Sequence, residues 1–240
     1  MMVFGMSADD TLVAIGLHQI SLLHQPAWKE QPIETSPPLA EDEVHVWRLD
    51  LDGPPQSPDL LSTAEQERHS RFRHGRAARR YLNTRALTRR ILAAYLGEEA
   101  PRLNMAAAEG GKPYLPDHGL EFNLSHSHGL GLLAVGRQPL GVDLEQLRPV
   151  RYPDRIAGRM WGEETAALFQ DMSDPASQRL FFSHWTAMEA RQKALGRGIF
   201  QAPVPETRAS CRHFIPRDGF IAAIATTETR LPGLKFLKPA

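Results

Sequence analysis

Gly141-Val142-Asp143-Leu144-Glu145 is the stretch on which the reading of this chain turns. On a strand, successive side chains point to opposite faces, so Asp143 and Glu145 share one face while Leu144 packs into a core on the other. Two hard oxygen ligands on a rigid element suit a magnesium ion, which takes few carboxylates and fills its octahedron with water and phosphate oxygens. The same Asp-x-Glu spacing also describes an ordinary solvated strand edge, so the neighbouring sequence has to decide.

Working outward, residues 120–124, 129–135 and 140–144 read as three strands. Beyond Pro149 and Pro153, helical patterning covers 163–169 and then about 178–195, closing at Gly196-Arg197-Gly198. The tail reads as short strands, the clearest being 219–226. Residues 129–135 and 219–225 are both glycine-led apolar strands after a helical region, a weak echo of a duplicated α+β unit. Upstream, 44–49 alternates as a first strand, Gly53-Pro54-Pro55 turns the chain, and Ser62 with Glu65 forms a capping box. The segment 68–90 holds nine arginines, yet keeps a helical apolar stripe through Ala78, Leu82, Ala86, Leu87, Ile91 and Tyr95 to a helix end at Gly97. Its arginines fit either a solvated basic face or an anion-binding surface. Residues 1–43, with Pro32, Pro37 and Pro38 among polar residues, read as an extension or linker.

Composition narrows the function classes. The chain has 240 residues, 28 Lys plus Arg against 28 Asp plus Glu, and one cysteine, Cys211. No net charge draws it to nucleic acid or an anionic membrane, and neither an intramolecular disulfide nor a cysteine-based zinc site is available. No run approaches the roughly 20 apolar residues of a membrane span. The start, Met1 to Phe4, lacks a basic region, and the apolar run at 11–17 is short, so a cytoplasmic protein is expected.

Two further groups accompany the Asp-x-Glu strand. Glu189 and Lys193 stand four apart in Trp185-Thr186-Ala187-Met188-Glu189-Ala190-Arg191-Gln192-Lys193 and so share a helix face, either as a surface ion pair or as a third metal ligand beside a phosphate-neutralising cation. Lys112, beside the rigid Pro113, is a phosphate-contact candidate. His126, between Ser125 and Ser127 at a strand end, fits a phosphate donor or a hydrogen-bonded structural histidine.

Together, Gly111-Lys112-Pro113-Tyr114-Leu115-Pro116, Phe122-Asn123-Leu124-Ser125-His126-Ser127, Gly141–Glu145 and Trp185–Lys193 resemble the 4′-phosphopantetheinyl transferase family in its larger, monomeric, surfactin-synthetase-activating type. The resemblance covers about residue 44 to the C-terminus. It implies an α+β fold of two pseudo-twofold-related α+β halves, 44–139 and 140–240, with coenzyme A and Mg²⁺ in the cleft between them. It implies that Asp143, Glu145 and Glu189 hold the metal, that Lys193 contacts the pyrophosphate, and that Lys112, Pro113, Ser125 and His126 contact coenzyme A. Arg68 and Arg80 fall where the family places basic residues for the 3′-phosphate. The implied reaction moves phosphopantetheine from coenzyme A onto a serine of an apo acyl or peptidyl carrier protein, releasing adenosine 3′,5′-bisphosphate, with catalysis mainly by positioning and charge neutralisation.

Three positions depart from the family pattern. Met188 replaces a lysine before the glutamate, Thr165 stands where a glutamate is expected, and His128 replaces a glycine. Glu163 or Glu164, one or two residues before Thr165, could take the base role with a small local shift, and Glu164 is carried as the candidate. The rival expectations are a catalytically impaired coenzyme A or carrier-binding module of the same fold, for which Met188 is the best argument, a nucleic-acid binder using the arginine-rich helix, and a metal-dependent phosphohydrolase.

Overall fold

The computed structural model describes residues 24–73, 75–108, 111–116, 118–170, 172–197, 209–228 and 232–240. The expectations for the run at 11–17 and for Gly110 and Gly198 lie outside the described residues. The fold is mixed α and β. In chain order the strands are β1 (Lys29–Gln31), β2 (Glu43–Asp50), β3 (Ala106–Ala107), β4 (Pro113–Tyr114), β5 (Glu121–Ser127), β6 (Leu130–Gly136), β7 (Leu140–Gln146), β8 (Ser210–Phe214), β9 (Phe220–Thr226) and β10 (Gly233–Pro239). The helices are α1 (Thr63–Ser70), α2 (Arg76–Leu96), α3 (Pro153–Trp161), α4 (Glu163–Ala166) and α5 (Pro175–Ala194).

A five-stranded sheet runs β1-β10-β2-β6-β5, a three-stranded sheet runs β7-β9-β8, and β3 and β4 form a small ribbon. The pleat explains how they are covered. On β6, Leu130, Leu132 and Ala134 join Leu140, Val142, Leu144, Ala222 and Ile224 in a core shared by the two sheets, while Leu133 and Val135 pack with Leu87, Ile91 and Leu92 of α2 on the opposite face. On β9, Ala223 and Ala225 turn the other way, onto Ala190 and Ala194 of α5. The two glycine-led strands are thus the inner strands of their sheets, each flanked on both sides.

The arginine-rich segment is not the single helix its spacing predicts. It divides into α1 and α2, because Gly75 takes φ 122° as the residue before α2, a conformation only glycine adopts cheaply. The capping box at Ser62 is formed, and Gly97 closes α2 in the left-handed region. The stretch read as a linker is partly built into the body. β1 pairs in parallel with β10, Ile33 is buried, and the Trp28 ring meets Phe236 edge-on at 5.3 Å. The division expected at 139/140 is crossed by β10, which returns from the C-terminus to pair in parallel with β2 and so covers that strand's edge. Among the described residues no helix is long and apolar enough to cross a membrane.

Candidate functional site

β7 is an edge strand of its sheet, so one row of its backbone groups needs partners from outside that sheet. Side chains supply them. Asn123 Oδ1 accepts from Val142 N at 2.8 Å, and Ser127 Oγ accepts from Gln146 N at 3.2 Å. Lys112 Nζ donates to the Leu140 carbonyl at 3.0 Å, and Lys193 Nζ lies 3.4 Å from the Val142 carbonyl. Lys112, expected at coenzyme A, therefore spends one donor on the β7 edge, and its burial lowers its pKa despite Glu121 at 3.9 Å. Pro113 pairs with Ala107 in the β3–β4 ribbon.

Gly141, Asp143 and Glu145 face α5. A Cβ on Gly141 would collide with the Ala190 carbonyl and the backbone nitrogen of Ala194, so glycine here lets the helix lie directly on the strand. That approach puts Lys193 Nζ 2.5 Å from Asp143 Oδ1 and 3.3 Å from Glu189 Oε2. The pair at 189 and 193 is no solvated surface bridge, since the two side chains are 15% and 23% exposed. Nor is Asp143 a surface carboxylate: it is 3% exposed. Asp143 Oδ1 also accepts from Ser125 Oγ at 2.9 Å, while its Oδ2 is buried with no hydrogen-bond partner. Burial and then the Asp143 charge push the Glu189 carboxyl up to about 7, against the pull of Lys193. Burial opposes the Lys193 charge, but Asp143 and Glu189 lift its pKa above the ordinary lysine value.

Glu145 is placed differently. Its Oε2 pairs with Arg148 Nη1 at 2.8 Å and accepts from Ser127 Oγ at 3.3 Å. The structure thus brings Asp143 and Glu189 together at Lys193 and leaves Glu145 on the same strand face with its own cation. Among the described residues no three acidic, histidine or cysteine side chains are gathered tightly enough to hold a metal. The donor set still fits a hard divalent cation: two carboxylates meet around one ammonium, and one buried carboxylate oxygen lacks a partner.

His126, Arg80 and Arg68 lie toward α1 and α2, and Glu164, Thr165 and Met188 lie on α4 and α5. His126 is on the opposite face of β5 from Ser125, and partial burial together with the charges of Lys193, Arg85 and Arg80 lowers its pKa. Arg80 is held in a two-point bond to Asp52, at 2.7 Å for both contacts. Arg68 is exposed on α1, its guanidinium 5.5 Å above the Tyr81 ring, beside an open cleft of about 580 Å³ lined by Ala64, Arg68, Arg71 and Phe72. Glu164 is exposed on α4, and among the described residues no hydrogen bond or ion pair ties it to Asp143, Glu189 or Lys193. Thr165 Oγ1 turns back to the Trp161 carbonyl at 3.3 Å. Met188 is half-buried on α5, and His128 takes φ 55° in the β5–β6 turn, where glycine is the usual choice.

Sequence reasoning assigned no role to Asn123, Ser127 or Arg148. The signal available was spacing: Asn123, Ser125 and Ser127 alternate on β5 with the same period as Asp143 and Glu145 on β7.

Comparison with known proteins bears on the same residues. Residues 139–223 match the model of the 4′-phosphopantetheinyl transferase superfamily, and residues 55–137 match that of the 4′-phosphopantetheinyl transferase N-terminal region. The 4′-phosphopantetheinyl transferase HetI of Nostoc sp. is 36% identical over 224 residues, which is 84% of this chain and 94% of that protein. The 4′-phosphopantetheinyl transferase Sfp of Bacillus subtilis is 29% identical over 144 residues, 58% of this chain and 62% of its own. The 4′-phosphopantetheinyl transferase gsp of Aneurinibacillus migulanus is 27% identical over 140 residues, 58% of each chain.

Proposed function

This chain belongs to the 4′-phosphopantetheinyl transferase family, and on that premise we propose that the groups where α5 crosses β7 carry the reaction. The protein is a phosphopantetheinyl transferase: it moves the phosphopantetheine arm of coenzyme A onto a carrier protein. The acceptor oxygen is a carrier serine, which forms a bond to the β-phosphorus as the bond to adenosine 3′,5′-bisphosphate breaks. The Lys193 ammonium, buried between Asp143 and Glu189, is the fixed positive charge that meets a pyrophosphate oxygen. Asp143, Glu145 and Glu189 would hold Mg²⁺, whose chemistry when bound is to neutralise the charge on the leaving phosphate. Arg68 and Arg80 supply positive charge for the 3′-phosphate, and His126, whose ring feels the charges of Lys193, Arg85 and Arg80, is assigned to coenzyme A beside them. Lys112 and Pro113 lie on the coenzyme A path in this reading, and Glu164 is retained as the base for the serine proton. The protein is read as a monomer of the cytoplasm that acts on coenzyme A and an apo acyl or peptidyl carrier, without nucleic acid or membrane. Its single cysteine and balanced charge support that.

The observation that carries the proposal is one ammonium shared by two carboxylates, beside a buried Asp143 oxygen with no protein partner. The test incubates purified protein with coenzyme A, an apo carrier and Mg²⁺, and weighs the carrier by mass spectrometry. A gain of one phosphopantetheine group that disappears with chelator is expected. Transfer persisting in chelator removes the magnesium assignment. Binding of coenzyme A with no mass gain on any carrier would leave the impaired-module reading, favoured by Met188, in its place.

A further inference from the structure

We propose that the alternate side chains of β5, Asn123, Ser125 and Ser127, form a positioning ladder that aims the carboxylates of β7, with Ser127 acting on Glu145. The inference rests on the metal reading given above.

The geometry is regular. β5 and β7 belong to different sheets, so no strand ladder fixes one against the other. In its place three side chains two residues apart reach across in step. Asn123 fixes the start of the strand through the Val142 amide at 2.8 Å, and Ser125 donates to Asp143 at 2.9 Å. Ser127 accepts from the Gln146 amide at 3.2 Å and reaches Glu145 Oε2 at 3.3 Å, the stronger acceptor beside His128 Nδ1 at 3.4 Å. One hydroxyl thus holds both the backbone after Glu145 and the Glu145 carboxylate, and so sets that side chain's direction relative to its own strand. The intervening residues, Phe122 and Leu124, face the core beneath α2. The serines therefore spend their donors inside the protein. A carboxylate that is to ligate a metal must be held in one orientation while keeping an oxygen free, and a single hydroxyl on one oxygen does that. Asp143 shows the pattern: Oδ1 is taken by Ser125 and Lys193, and Oδ2 is left open. Arg148 holds Glu145 from the solvent side, 2.8 Å from the same Oε2 that Ser127 touches, which leaves Oε1.

The experiment compares wild type, Ser127→Ala and Ser127→Thr. It measures Mn²⁺ binding by electron paramagnetic resonance with and without coenzyme A, the Mg²⁺ concentration giving half-maximal transfer, and the KM for coenzyme A at saturating Mg²⁺. Loss of a partner orienting a metal ligand weakens metal binding about 10- to 100-fold. Ser127→Ala is expected to do this for Mn²⁺ and to raise the Mg²⁺ requirement similarly, with the KM for coenzyme A unchanged. Ser127→Thr, which keeps the hydroxyl, restores both. Unchanged Mn²⁺ affinity in Ser127→Ala, or a raised KM for coenzyme A with metal binding intact, overturns the proposal, the latter because it would make Ser127 a substrate contact. If wild type itself takes up no Mn²⁺ under either condition, the metal assignment falls and this inference with it. Ser125→Ala is expected to lose more, because Asp143 is buried. Should that variant fail to fold, the Ser127 pair, at the half-exposed end of the ladder, carries the same test.

Discussion

α2 and α5 are nearly equal in length, 21 and 20 residues, and each covers one face of a sheet whose inner strand is a glycine-led apolar run. They use charge in opposite ways. α2 belongs to the segment that carries nine arginines, and several of these have partners inside the protein. Arg89 is 3% exposed and bonds Glu65 and the carbonyls of Ala100 and Leu103; Arg90 bonds Glu34 and Gln56; Arg80 bonds Asp52. α5 brings one ammonium, Lys193, to the β7 carboxylates. A dense basic segment can thus be largely architectural, while a single ammonium at a close helix–strand crossing is the group proposed above to meet the pyrophosphate. What separates the cases is the balance of charge: Arg89 meets one carboxylate, Glu65, and two carbonyls, whereas Lys193 meets two carboxylates, one more than its own charge balances.

The comparison sharpens most at Arg89. Arg89→Met leaves the buried carbonyls of Ala100 and Leu103 without their donor and removes the buried cation from Glu65, which keeps only Ser62 and the more distant Arg85, so a loss of about 3–5 kcal/mol of stability is expected in urea unfolding. Coenzyme A affinity of the folded fraction should stay the same; a specific loss of affinity would make Arg89 a binding residue rather than an architectural one. Lys193→Met is the mirror experiment. Transfer should fall by about 10²–10³-fold, roughly 2.7–4 kcal/mol of barrier, in the carrier mass assay. A loss confined to stability, with turnover of the folded protein intact, would erase the distinction between the helices.

Each helix also contacts a histidine on a neighbouring strand. His45 Nδ1 lies 2.6 Å from the Tyr95 hydroxyl of α2, and His213 Nε2 lies 2.8 Å from the Ser183 carbonyl of α5. Desolvation lowers the pKa of both, that of His213 from 6.5 to about 4. The unfolded chain therefore takes up the proton first. The stability contributed by neutral His213 is whole above pH 6.5 and is lost as pH falls toward 4, by about 3 kcal/mol. Thermal melts from pH 8 to pH 4 should show that decline, and it should be shallower in His213→Gln. Equal slopes would place the acid sensitivity elsewhere. The smallest effect is expected at Asp52→Asn. The exposed Arg80 pair should be worth less than about 1 kcal/mol of stability. Freeing Arg80 should lower the KM for coenzyme A, and an unchanged KM would remove Arg80 from the 3′-phosphate assignment.

Local sequence was enough where one physical rule acts alone. Strand alternation put Asp143 and Glu145 on one face, the capping box marked the start of α1, and Gly97 marked the end of α2, because each depends on residues within a few positions of one another. The break at Gly75 was legible in principle, since the apolar stripe begins only at Ala78, after it. The pairing of β1 and the return of β10 were not legible, since a three-residue strand owes its existence to a partner some 200 residues away.

At the site, the order of motifs along the chain determined the family, the residue types at the centre and the pairing of Glu189 with Lys193 on one helix face. Only the tertiary structure decided which donors are spent at home. Hydrogen-bond partners are set by distance in space, and nothing in the sequence says that Lys112 and Ser127 serve the open edge of β7, that Glu145 is balanced by Arg148, or that Asp143 keeps one buried oxygen free.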